Sequence, residues 1–159
     1  MINHHRVKRR SFLPSLALNL LAVCGLFLFP SGLQARAEDL KVEARLVWGT
    51  NDPKSPDSKH KALDTSLSRK LGKIFKWRNY FEVNQKEVTI PMNVAKKIQM
   101  SDKCMLEVRN LGGNRVEVKL YGSGKLVNRT EQNLRGDWLT IAGDSENNTA
   151  WFVVLKLAD

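Results

Sequence analysis

The clearest pattern in the chain is strict alternation of apolar and polar positions. Leu40, Val42, Ala44, Leu46 and Trp48 fall on one side of an extended segment, and Lys41, Glu43 and Arg45 on the other. Period two sustained over this segment predicts a strand with one wet face. The segment 149–157 is apolar on both sides: Trp151, Val153, Leu155 and Leu157 take one face, Phe152 and Val154 the other. Such a strand belongs inside a sheet that is covered twice. Cys104, Leu106 and Val108 alternate with Met105, Glu107 and Arg109 within 103–110. Further short strands are expected at 80–84, 87–92, 115–121, 125–131 and 137–142. The segment 94–100 fits a strand or a short helix. Leu111-Gly112-Gly113-Asn114 and Gly122-Ser123-Gly124 supply turns, because glycine accepts the positive φ that tight hairpins need.

One segment has helical spacing instead. Over 64–77, Leu67, Leu71, Ile74 and Phe75 fall on one side. Asp64 or Thr65 can cap its start with a side-chain oxygen. The preceding residues 49–60 contain Pro53 and Pro56 and read as a long loop. Together these elements predict a mainly β fold. It is an antiparallel β-sandwich or partly closed barrel of about seven or eight strands, with one amphipathic α-helix after the first strand.

Residues 1–37 read as a cleavable export signal. Arg6, Lys8, Arg9 and Arg10 form a positive start, and an apolar stretch runs from Phe12 to Phe29. Pro30 and Gly32 break it, and Ala35-Arg36-Ala37 offers small residues at the two positions that a signal peptidase reads. The mature chain is then a single β-rich domain, 38–159, in the periplasm or outside the cell, with no permanent transmembrane anchor. Arg9-Arg10-Ser11-Phe12-Leu13 resembles the twin-arginine export motif, which implies export of an already folded domain. The Leu- and Phe-rich core instead favours general secretion, and both routes stay open. Leu21-Ala22-Val23-Cys24 loosely resembles a lipobox, but Val23 is bulky and the apolar core continues beyond Cys24.

The leader changes the charge picture. The whole chain carries +10, with 26 Lys and Arg against 16 Asp and Glu. Five of those cations lie in the leader and no anion does, which leaves 21 against 16, or +5. That is not the charge of a dedicated nucleic-acid binder. Cysteine counting is equally restrictive. After cleavage only Cys104 remains, so no intramolecular disulfide forms, and its place on the apolar face makes it a core residue.

Familiar catalytic chemistry finds little support. His60 is the one histidine after the leader, and it lies in the proline-bearing loop. Ser55 and Ser58 are near it in sequence, but a loop is not expected to hold a nucleophile against its base. Asp144 and Glu146, with Asn147 and Asn148, offer hard oxygens for calcium, without the order of a calcium loop. Glu82 and Glu87 are the acids that a glycan-directed enzyme would use if they form a pair across a turn. No phosphate-cradling glycine loop follows a strand and opens a helix, and no cofactor site is expected.

The remaining feature is a concentration of positive charge. Lys54, Lys59, Lys61, Arg69, Lys70, Lys73, Lys76 and Arg78 stand against only Asp57 and Asp64, a local +6. Arg69, Lys73 and Lys76 fall within about 60° of one another on the helix, opposite the apolar stripe. Lys70 and Trp77 sit at its edge. The expected function is a non-enzymatic binding or structural module of the bacterial cell envelope. Its contacts would be an anionic lipid head group, an acidic polysaccharide or an envelope protein, made through Lys61, Arg69, Lys70, Lys73, Lys76 and Trp77. A plain solvated helix face reads the same way in sequence. Nucleic acid is the less favoured partner. Two alternatives remain: an accessory subunit of an envelope assembly that uses sheet-edge addition, and the carboxylate-based enzyme.

Overall fold

The computed structural model describes residues 38–143 and 148–158. The export signal, with Ala35 and Ala37, and the Asp144, Glu146 and Asn147 oxygens lie outside the described residues. Nine strands and one helix are present among those described: β1 (Leu40–Thr50), β2 (Lys61–Ala62), α1 (Thr65–Ile74), β3 (Asn79–Ile90), β4 (Ala95–Ser101), β5 (Cys104–Gly112), β6 (Arg115–Gly122), β7 (Lys125–Asn133), β8 (Leu139–Ala142) and β9 (Ala150–Leu157). A five-stranded sheet runs β2-β3-β1-β9-β8 and a four-stranded sheet runs β4-β5-β6-β7. All pairings within the sheets are antiparallel. The two sheets stay separate, so the fold is a sandwich and not a barrel.

The alternation read from sequence becomes two cores. Val42, Ala44 and Leu46 of β1 and Val153 and Leu155 of β9 point between the sheets. There they join Leu106 and Val108 of β5 and Val116, Val118 and Leu120 of β6. On the opposite side of the five-stranded sheet, Val47, Phe152 and Val154 pack under α1 with Leu67, Leu71 and Tyr80. The doubly apolar β9 is therefore central, with its two faces in different cores. The expected wet face of β1 is corrected by the same layer. Glu43 is buried and Arg45 half-buried, because the outer side of this sheet carries the helix.

Two elements differ from the sequence expectation, and one open alternative is resolved. The two short strands around 85–86 are one twelve-residue strand, β3. Its pairing to β1 continues through the polar run and absorbs a register shift opposite Leu46 and Val47. The segment 94–100 is a strand, fixed by its ladder to β5. The helix ends at Ile74 and not at Trp77. Asp64 is its cap, accepting from the Leu67 amide at 2.9 Å. At the other end Phe75 is extended (φ −118°, ψ 158°), which drops its ring onto Phe152 with centroids 4.3 Å apart. Ile74, expected on the apolar stripe, is left 68% exposed.

Polar side chains pin the layers together. Asn110 is buried, and its Nδ2 donates to the carbonyls of Glu38 and Ile90 at 2.9 and 3.2 Å while its Oδ1 accepts from Gly112 N at 2.9 Å. This ties β5 to the end of β3 and satisfies a polar group that would otherwise be costly in the core. Asn84 Nδ2 donates to the Met100 carbonyl at 2.8 Å, a second link between the sheets. Gly49 is required by the other core, since a Cβ there would lie 2.8 Å from the Phe152 ring. The β5–β6 turn has Gly113 and Asn114 both at positive φ (59° and 65°), the conformation that matches the twist of a hairpin.

Candidate functional site

The basic helix is held by its underside. Leu67 and Leu71 are buried on the sheet, and this turns the exposed Arg69, Lys70 and Lys73 outward. Lys76 follows just past the helix end and is also exposed. Their settings differ. Lys70 Nζ is bonded to an Asp137 carboxylate oxygen, and this contact, with help from the Trp138 amide, holds the Asp137 carboxyl below its ordinary range. Lys76 Nζ lies over the Trp77 ring, 5.5 Å from its centroid. Arg69 and Lys73 meet no carboxylate among the described residues.

Trp77 and Lys61 sit apart from this picture. Trp77 is half-buried, with its ring 5.5 Å from Phe152 in an edge-on arrangement, and its Nε1 donates to the Asn148 carbonyl at 2.8 Å. It anchors the chain after the helix. Lys61 lies in β2, opposite Glu82, and lines a shallow depression of about 420 Å³ with Lys59, Glu82, Gln85 and Glu87. Its closest company there includes two carboxylates rather than the helix cations. The structure thus gathers Arg69, Lys70, Lys73 and Lys76 on one exposed segment and leaves Lys61 outside it.

Tyr80 belongs to the junction of helix and sheet. Its hydroxyl has no hydrogen-bond partner among the described residues, and burial raises its pKa. Phe81, its neighbour in sequence, is paired with Trp48 on the opposite face. Trp138 packs against the helix-side core under two cations, Arg45 (4.9 Å to its centroid) and Lys156 (5.2 Å). Trp48 and Trp151 are half-buried cross-strand neighbours at the sandwich rim, and Trp151 packs against the inter-sheet core.

A charge network missed in the sequence lies on the outer side of the five-stranded sheet. Buried Glu43 contacts Arg45, Lys156 at 3.3 Å and Gln85 at 2.9 Å. Arg45 continues to Asp64 at 2.9 Å and Glu82 at 3.5 Å. The network joins β1, β3, β9 and the helix cap, so every buried charge in it has an opposite neighbour. The period-two pattern placed Glu43 and Arg45 on one face but gave no sign that a helix would cover it.

The catalytic candidates are placed as follows. Ser55 Oγ is 2.6 Å from His60 Nδ1, so the loop does hold a hydroxyl against the imidazole, contrary to expectation. Asp57 lies 3.9 Å from Nε2, too far for a hydrogen bond that would orient the ring. The loop is stiffened by its own bonds, including Lys59 N to Asp57 Oδ1 at 2.8 Å. Glu82 and Glu87 lie on the single strand β3, opposite Val47 and Glu43 of β1, four residues and so about 13 Å apart along that strand, and both line the depression beside Lys61. Their partners differ too: Arg45 for Glu82, and Lys41 at 2.8 Å for Glu87.

Among the described residues no three His, Cys, Asp or Glu side chains converge as metal ligands, and no helix is long and apolar enough to cross a membrane. The chain matches no known protein family, no curated protein and no solved structure.

Proposed function

We propose that this protein is a small exported binding module of the bacterial cell envelope, and that its basic helix contacts the head groups of an anionic lipid surface. The observation that carries this reading is the exposure of Arg69 and Lys73 without a carboxylate neighbour among the described residues, on a helix fixed to a rigid frame by Leu67 and Leu71. A cation already paired gains little from a second anion; an unpaired one gains more. Exposed Ile74 beside Lys73 adds an apolar side chain at the same end of the helix, which favours a lipid interface over an acidic polysaccharide.

The test is sedimentation with vesicles of phosphatidylglycerol and phosphatidylcholine. Each cation near an anionic surface is worth about 1 kcal/mol. Replacing Arg69, Lys73 and Lys76 with Ala is therefore expected to weaken binding about 100-fold at low salt. Binding should also fall steeply as salt rises. Equal binding by the triple variant, or equal binding to neutral vesicles, rejects the proposal.

A second reading is favoured by one feature, the edge strand β7. Its nine residues run along the border of the four-stranded sheet, and none of them is buried. Such an edge suits strand addition by a partner protein, as an accessory subunit of an envelope assembly would use.

A further inference from the structure

At one end the two sheets part and leave a cleft of about 840 Å³, within the size range of small-molecule sites. Trp48 and Trp151 form one wall, side by side on neighbouring strands. Leu126 and Val127 form part of the other, and both are exposed for residues of their type, at 54% and 41%. The charge at this opening is one-sided. Lys103 lies in the β4–β5 turn and Lys125 at the start of β7, and no carboxylate lines the cleft among the described residues. Neither lysine has an ion-pair partner among the described residues.

We propose that this cleft binds an amphiphile with a single alkyl chain and an anionic head, the chain lying between Trp48, Trp151, Leu126 and Val127 and the head meeting Lys103 and Lys125. An apolar wall left open to water gains by covering, and the two rim lysines, with no carboxylate beside them in the cleft lining among the described residues, favour an anionic head group. A neutral sugar would use the tryptophan faces but leave both lysines and the aliphatic wall without a role. The cleft lies between the sheets, whereas the basic helix lies on the outer side of the five-stranded sheet, so the two sites are independent.

The test uses protein purified from cells expressing the full chain. Alkyl carboxylates of eight to fourteen carbons and the corresponding alkyl phosphates are titrated as monomers, and binding is followed by tryptophan fluorescence and calorimetry. Burial of the chain predicts affinity rising up to about fourfold per added methylene, until the cleft is filled, with a negative heat-capacity change. The carboxylate and phosphate arms separate a free fatty acid from a phospholipid as the source of the same chemistry. Lys103→Glu with Lys125→Glu is expected to weaken binding about tenfold, and Leu126→Asp to flatten the chain-length series. Both sets of positions are exposed, so folding is retained, and circular dichroism checks it. Replacing Arg69, Lys73 and Lys76 with Ala leaves these affinities unchanged. The proposal falls if no amphiphile binds, if affinity ignores chain length, if the lysine variants bind as well as the parent, if the helix variant loses binding, or if a neutral oligosaccharide binds in place of the amphiphiles.

Discussion

Cys104 is 4% exposed, and burial pushes its thiol from 9.0 up to about 12. The sequence already placed it on an apolar face, in line with Leu106 and Val108. The shift has a definite sign in stability. Below pH 9 the thiol is protonated in both folded and unfolded chains and contributes no pH dependence. Above pH 9 the unfolded chain releases its proton while the folded chain keeps it, so stability falls as pH rises toward 12. The slope from this one group approaches about 1.4 kcal/mol per pH unit. Urea titrations between pH 8 and 11 should show that decline in the parent and a shallower one in Cys104→Ala; identical slopes refute the assignment. Iodoacetamide should label the native protein far more slowly than the unfolded one, because the thiolate is the reactive form. Other residues were not legible in this way. Lys70 and Asp137 are 67 positions apart, and only the fold brings them together. Ser55 and His60 are close in sequence, but their contact depends on a turn that composition does not specify.

At the scale of elements, the strands with alternating side chains were legible and the polar ones were not. β1 and β9 declare themselves because each buries at least one apolar face. β3 read as two pieces because Gln85 and Lys86 look like a turn, yet the ladder to β1 carries the chain straight through them. Tertiary pairing overrides local composition there. The helix was overextended for the opposite reason: Phe75 and Trp77 are apolar and continue the pattern, but they reach the core from extended backbone. β7 poses a functional question at this scale. Edge strands that avoid partners carry lysines or are kept short; β7 is nine residues long, and among the charges of Lys125, Arg129 and Glu131 it exposes the uncharged Asn128 and Gln132. If it accepts a partner strand, Asn128→Lys with Gln132→Lys should abolish capture of that partner from envelope extract. The fold would lose less than about 0.5 kcal/mol, as is usual for exposed positions. Capture that survives both lysines, or no capture by the parent, rules out strand addition at this edge.

At the scale of the whole molecule, the described domain is a three-layer arrangement: four-stranded sheet, five-stranded sheet, helix. The outer two layers do not share a core, and the middle sheet is the mechanical link between them. β9 makes that link explicit, with Val153 and Leu155 in the inter-sheet core and Phe152 and Val154 in the helix-side core. Loosening one face of a central strand therefore weakens its hold on the other. This decides between two kinds of unfolding. Were the helix layer a separate appendage, Leu71→Ala would detach it at low denaturant and leave the sandwich intact, giving two transitions. Because β9 and β1 belong to both cores, the same substitution should shift one transition. Leu71 is fully buried, so the loss is about 2–5 kcal/mol. Tryptophan fluorescence reports both layers, since Trp77 and Trp138 lie beside the helix and Trp48 and Trp151 at the cleft. Far-ultraviolet circular dichroism reports the strands. Coincident curves from the two probes, in parent and variant alike, are expected of a domain this size with linked cores. Curves that separate in Leu71→Ala would mean that the helix can leave without the sandwich, and that the basic surface is carried on a detachable layer.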